Sequence, residues 1–395
     1  MSLPHPEEIW AEVAAMAIAS TAIPKLHNVG FALDQGGLWM RDIGDGWCNI
    51  TWIDGGRAVL CGCHNDSSQT RYQVPPIDLL AGGPDWLPWE WLVGLMNETP
   101  MLTFVHWWDG SSWSQAPTPD GMEDGVFYND STTENVYWDL ADDYDKAVTA
   151  LENLVSAART RAVDRSVIEA LAAPLGAEAL SEEGCDVRAA LDIADRTGVT
   201  PGSTRPGIPA GHGEPADRRV HVLDPSQVSG LITTAMRASA ELDRPEPDAG
   251  PALERAVAWV RDRCPDGTVT VAYVGYDRPG FTFISPGGWL DKDLSEVLDA
   301  WRQEGADPRT GHWTHARIRA TADTTTVERA YDHVPAWWQP AYMPDAQVAA
   351  LRTEMARRDA QWRPGWVRLL DEDFEQDGAP TELCWRPGRT VESLG

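Results

Sequence analysis

Apolar residues recur at helical spacing over residues 7–20, so the chain opens on a helix. Two alternating runs follow at 47–52 and 58–63, and Asp54-Gly55-Gly56 between them predicts a hairpin. Beyond the break Gly82-Gly83-Pro84 the pattern predicts a short helix over 85–97 and a strand over 101–107. A long helix is expected over 134–161 and a short one over 187–196. The second half reads in a similar order. A helix at 252–263 leads to strands at 268–274 and 281–284, a Pro286-Gly287-Gly288 loop and a helix at 291–304. Strands at 312–320 and 324–331 and a helix at 345–362 complete it.

Tryptophan marks the same division. Eleven of the 20 lie between Trp10 and Trp138 and nine between Trp259 and Trp385, with none in between. The gap holds Gly198 to Pro215, where glycine and proline are too dense for regular structure, and a second Pro-rich break at 243–251. The reading is therefore an α+β fold: two Trp-rich antiparallel-sheet modules with packed helices, at residues 1–163 and 251–395. A helical and Gly/Pro-rich bridge at 164–250 joins them. The shared order suggests an internal duplication, and two unrelated α+β domains are the alternative.

Charge changes the picture. The net charge of −29 disfavours nucleic-acid phosphate and anionic membrane and favours a basic partner. Between Gln73 and Asp145 there is no Lys or Arg, yet fourteen acids and seven tryptophans occur. Only three lysines stand against 29 arginines, a composition similar to that of GC-rich bacterial proteins. Six scattered cysteines suit a reducing compartment. No basic stretch precedes the apolar run at 9–23, and no run reaches membrane-spanning length, so a cytoplasmic protein without membrane association is expected.

Each candidate chemistry has a plainer reading beside it. Cys61, Cys63 and His64, with Cys48 on the neighbouring strand, offer soft metal ligands, but a zinc site needs a second ligand set, and a Cys-x-Cys pair on one strand face is equally core. His312 and His315 fit no metalloprotease pattern and read as surface or half-buried. A calcium loop begun at Asp373 has Cys384 where a bidentate acid is required. No phosphate cradle or nucleophile elbow is present. Neither a metal nor a cofactor is expected. Carboxylate pairs such as Glu123-Asp124 and Asp142-Asp143, with Trp107 and Trp108 as a sugar platform, keep a glycosidase-like hydrolase open. A decoy whose acids imitate DNA phosphates is another alternative.

The segment from Val327 to Trp338, ending Pro335-Ala-Trp337-Trp338, and more distantly Pro84-Asp-Trp86-Leu-Pro-Trp89, resembles immunity proteins of bacterial polymorphic toxin systems. That resemblance implies an inhibitor, not an enzyme, that occludes a cognate toxin. Exposed Trp beside uncompensated acids is the composition of an interface anchor with a steering rim. The residues expected to bind are Trp86, Trp89, Trp107, Trp108, Asp109, Glu123, Asp124 and Asp130. The adjacent pair Trp107 and Trp108 should face opposite ways on an extended strand.

Overall fold

The computed structural model describes residues 3–26, 29–34, 37–42, 46–98, 102–128, 137–176, 180, 184–222, 225–245, 249–264, 267–272, 281–285, 292–321, 323–338 and 348–387. The chain divides into two units, Met1–Arg71 with Asp78–Arg218, and Tyr72–Ile77 with Arg219–Gly395. Both mix helices with antiparallel sheet, which makes the fold class α+β.

In the first unit, helix α1 (Pro6–Ala22) is capped by the His5 side chain, which accepts from the Glu7 amide, and has Pro at its first turn. Its apolar residues cover nearly the whole circumference, so it is a core helix with no solvent face of any width. The sheet is a six-stranded meander in sequence order: β1 (Val29–Asp34), β2 (Gly37–Asp42), β3 (Gly46–Ile53), β4 (Arg57–His64), β5 (Phe104–Trp108) and β6 (Trp113–Gln115). Asp54, Gly55 and Gly56 close the β3–β4 hairpin, with both glycines at positive φ. Helices α3 (Tyr144–Arg159), α4 (Arg165–Ala170) and α5 (Val187–Arg196) pack with α1 on one sheet face, against Cys48, Ile50, Leu60 and Phe104. The other face takes Val59, Cys61, Val105 and Trp107 and is covered by α2 (Trp89–Glu98). A sheet buried on both faces explains why β3 and β4 are apolar almost without interruption.

The expected long helix is shorter than the pattern suggested. It begins at Tyr144, where the Asp143 carboxylate caps the Lys146 amide; the part of that expectation at 134–136 lies outside the described residues. Strands β1 and β2 carried no sequence expectation at all. The Gly/Pro-rich stretch has no helix and no strand, as its composition requires, yet it is held to this unit. The Ile208 amide donates to the Trp52 carbonyl at 2.8 Å, the Gly211 amide to Trp86 at 2.9 Å and the Gly213 amide to Asp85 at 2.8 Å.

In the second unit β7 (Arg219–Val220) pairs with the late strand β12 (Ala379–Pro380), and a four-stranded sheet ordered β11-β10-β8-β9 is built from β8 (Thr268–Ala272), β9 (Phe281–Ser285), β10 (His315–Ala320) and β11 (Thr325–Ala330). Helices α7 (Pro251–Arg263) and α8 (Lys292–Glu304) cover one face through Leu253, Ala256, Val260, Leu294, Leu298 and Trp301. A second core gathers α6 (Pro225–Ala238) and α9 (Val348–Arg357) with Trp366 and Leu370. β10 pairs with β8, the first strand of its hairpin, whereas β5 of the first unit pairs with β4, the second strand of its own. The common order of elements is thus connected differently in the two sheets, and a duplication is not confirmed. The second glycine loop, at 286–288, lies outside the described residues.

Charge is buried in this unit. Arg358 is 1% exposed and donates to Asp332 at 2.8 Å, to Glu354 at 3.2 Å and to the carbonyls of His312 and Tyr331. Arg244 donates to the other Asp332 oxygen and, at 2.8 Å, to the Thr310 carbonyl. Glu354 also accepts from the His312 amide at 2.8 Å and meets the His312 ring at 3.0 Å. Each ion has several partners, which a desolvated charge requires.

Candidate functional site

The eight residues expected to bind do not form one surface. Trp89 is 2% exposed; its indole donates back to the Pro84 carbonyl at 3.2 Å, folding the ring against the entry to α2. Trp107 is 6% exposed in the same core. Trp86 is half-buried there with the Arg57 guanidinium 4.8 Å over its ring. Trp108 faces the opposite side of the sheet, as strand alternation demands, and packs edge-on to His5 at 4.9 Å and Trp113 at 5.8 Å. Trp89 and Trp107 are therefore core, and the remaining two tryptophans are split between faces.

The acids divide too. Asp109 is exposed and accepts from the amides of Ser112 and Ser111 and from the Ser111 hydroxyl, and these bonds hold its carboxyl below the ordinary range. Glu123 is exposed, and its backbone is tied to Gln69. Asp124 is engaged inside: its carboxylate meets the His106 ring at 2.8 Å and takes the Val126 amide at 3.1 Å. Burial works to raise the Asp124 carboxyl, but the His106 hydrogen bond and charge and the Val126 amide outweigh it and hold it low. Asp130 lies outside the described residues. Of the other acids in the base-free stretch, Asp78 is buried in a two-bond pair with Arg218, at 2.8 and 2.7 Å, and adds nothing to the surface.

What the structure brings together is the start of α3. Tyr144 is 56% exposed, the exposed large hydrophobic side chain among the described residues. Its ring lies 5.8 Å from that of Trp138, which is half-buried. Asp139, Asp142 and Asp145, beside it in sequence, are exposed, and Asp143 pairs with Lys146 at 2.8 Å. The Lys146 ammonium, and then its amide, hold the Asp143 carboxyl low. Sequence reasoning passed over Tyr144, although Asp142-Asp143-Tyr144-Asp145 carried a signal: an aromatic among acids at the first turn of a helix. A groove of about 650 Å³ is a second feature of this unit. It runs between Pro88, Glu90 and Trp91 at the start of α2 and residues 208–215, with Glu90 and His212 exposed.

The other candidates resolve into structural roles. Cys61 and Cys63 share a face of β4 and are buried, and burial pushes both thiols up. The His64 ring instead accepts the Asp66 and Ser67 amides in a turn. His315 is not half-buried but 1% exposed, beside Trp338, and burial holds its ring down to about 3. Asp373 caps the short helix Phe374–Asp377 through the Gln376 amide, which replaces the supposed calcium loop. Among the described residues no group of three His, Cys, Asp or Glu is placed to hold a metal ion, and no helix is long and apolar enough to cross a membrane. Comparison with protein-family models, curated proteins and solved structures finds no match.

Proposed function

We propose that this chain is an inhibitory binding protein whose first unit holds a basic protein partner, a toxin of the kind that immunity proteins neutralise. The observation that carries the reading is Tyr144, exposed on the half-buried Trp138 and flanked in sequence by the exposed Asp139, Asp142 and Asp145. An amphipathic aromatic of this type supplies contact area at low entropy cost, and a rim of one charge steers the encounter and rejects partners of like sign. The groove beside Trp91 and Glu90 offers a further aromatic and one exposed acid in the same unit. An interface of about 800 Å² per partner needs only some 20–30 residues.

The test is direct. The purified chain is mixed with the product of the neighbouring gene; complex formation is read by size-exclusion chromatography, and the partner's activity is assayed with and without the chain. A stoichiometric complex with lost activity is expected. The reading fails if the two neither associate nor change the partner's activity.

A further inference from the structure

Among the described residues the outer edge of β11 in the second unit has no partner strand. β11 pairs with β10 on one side, and no described strand pairs with it on the other. In an antiparallel ladder, bonded and non-bonded pairs alternate. The Thr321 amide bonds the Thr324 carbonyl at the turn, and the Thr314 amide bonds the Ala330 carbonyl at the far end. Counting inward in twos assigns residues 326, 328 and 330 to β10 and turns the amides and carbonyls of Thr325, Val327 and Arg329 outward. A cleft of about 640 Å³ runs along that edge, lined by Val327, Glu328, Arg329 and Ala330, with Trp337 and Leu242 facing them. Natural edges are commonly blunted by proline, lysine or a covering element. The β11 sequence Thr-Thr-Val-Glu-Arg-Ala has neither residue. Beyond the strand, the Glu241 carboxylate takes the amides of Tyr331 (2.9 Å) and Asp332 (3.3 Å), which closes the ladder at that end.

The side chains set the chemistry. Glu328 is bonded to Arg317 at 2.6 and 2.7 Å on one face, where Trp337 stacks 4.8 Å from the guanidinium. Val327 and Arg329 share the other face with their partners Ile318 and Ala316. The Arg329 guanidinium lies 5.3 Å over the Trp301 ring; among the described residues its buried Nε has no hydrogen-bond partner and no carboxylate pairs with it. Residues opposite each other in a strand pair share a face, so an added strand would set one side chain beside Val327 and another, two positions away, beside this cation.

We propose that the outer edge of β11 is a strand-addition site for an extended peptide carrying an apolar and an acidic residue two positions apart. Its main-chain groups bond Val327 and Arg329, its acid pairs with Arg329, and its apolar residue rests on Val327. Backbone bonds then give affinity and the two side chains give selectivity. The site belongs to the second unit alone, so its fate is separate from that of the acidic face.

Hydrogen exchange of the full chain, read by mass spectrometry, tests it with two blocked octapeptides of alternating threonine and valine, one central valine replaced by Asp in one and by Lys in the other. The Asp peptide should slow exchange in residues 325–330 and bind at least about ten-fold more tightly than the Lys peptide. Val327→Pro removes an outward amide and no ladder bond, so it should weaken the Asp peptide more than about ten-fold with the circular dichroism unchanged. Arg329→Gln should equalise the two peptides, and it carries the test if the proline variant does not fold. The proposal is overturned if neither peptide protects 325–330, or if the wild type binds both equally. Unchanged binding by the proline variant, or the same protection from a dimer without peptide, also overturns it.

Discussion

Beside Tyr144 in the first unit, Asp139, Asp142 and Asp145 stand exposed and in no ion pair among the described residues, while in the second unit Asp332 and Glu354 are sunk among Arg244, Arg302 and Arg358. The side chains are chemically alike and their physical situations are opposite. Exposed acids keep their hydration and cost the fold little, so they are free to act at a distance on a partner. Buried acids have given up hydration and must recover it from fixed donors, which makes them part of the scaffold. Burial, rather than the unit, decides the role: Asp78 of the first unit is paired with Arg218 as tightly as Asp332 is with Arg358. A net charge of −29 therefore says little about where a partner would bind until paired acids are set apart from unpaired ones.

The sharpest way to break this comparison is to remove the shared cation. Arg358→Met leaves Asp332 and Glu354 short of a partner at the centre of the second unit and should cost about 5 kcal/mol of unfolding free energy in urea, the upper end for a broken buried pair. A loss no larger than that of a surface arginine would refute the scaffold role. Acid comes next. Burial alone would raise the Glu354 carboxyl, but the His312 hydrogen bond and the Arg358 charge overcome it and hold it at about 2. A carboxyl depressed in the folded state stabilises above its ordinary value and loses that contribution as pH falls toward about 2. The difference in unfolding free energy between wild type and Glu354→Gln should therefore shrink by about 3 kcal/mol between neutral pH and pH 2. A pH-independent difference would contradict the assignment.

Much of the fold was legible where local chemistry decided it. Asp54-Gly55-Gly56 between two apolar runs could hardly be other than a hairpin, and 187–196 is a helix to the residue. β1 and β2 were not legible, because their short runs are broken by Gly30 and Gly37 and end in Asp34 and Asp42. The opposite facing of Trp107 and Trp108 followed from strand period alone. The burial of Trp89 did not, since it rests on an indole bond to Pro84 and on the packing of the sheet face beneath it. Pairing was the least visible of all. Asp78 meets a guanidinium 140 positions away, so counting bases near it in sequence overstated the acidic surface. Tyr144 gained weight only because it and the acids beside it in sequence turned out to be exposed.

Two smaller effects sharpen the contrast from the side of the acidic face. Tyr144→Ala removes an exposed ring, so the unfolding midpoint should not move, while affinity for the basic partner should fall by about 2 kcal/mol, roughly thirty-fold, as for an interface anchor. Stability and binding moving together would mean that the ring is structural. The rim should matter less and differently. Asp139→Asn, Asp142→Asn and Asp145→Asn combined remove three exposed charges without touching the Asp143 cap on α3. Rim charges act mainly while the partners are still separated, within a Debye length of about 8 Å at physiological salt. The triple variant should therefore slow association several-fold at low salt, leave dissociation nearly unchanged, and converge on the wild type as salt rises. Stopped-flow mixing across a salt series reads all three. A change confined to dissociation would place these acids inside the contact itself, engaged like Asp332 and Glu354 rather than free, and would erase the distinction between the two regions.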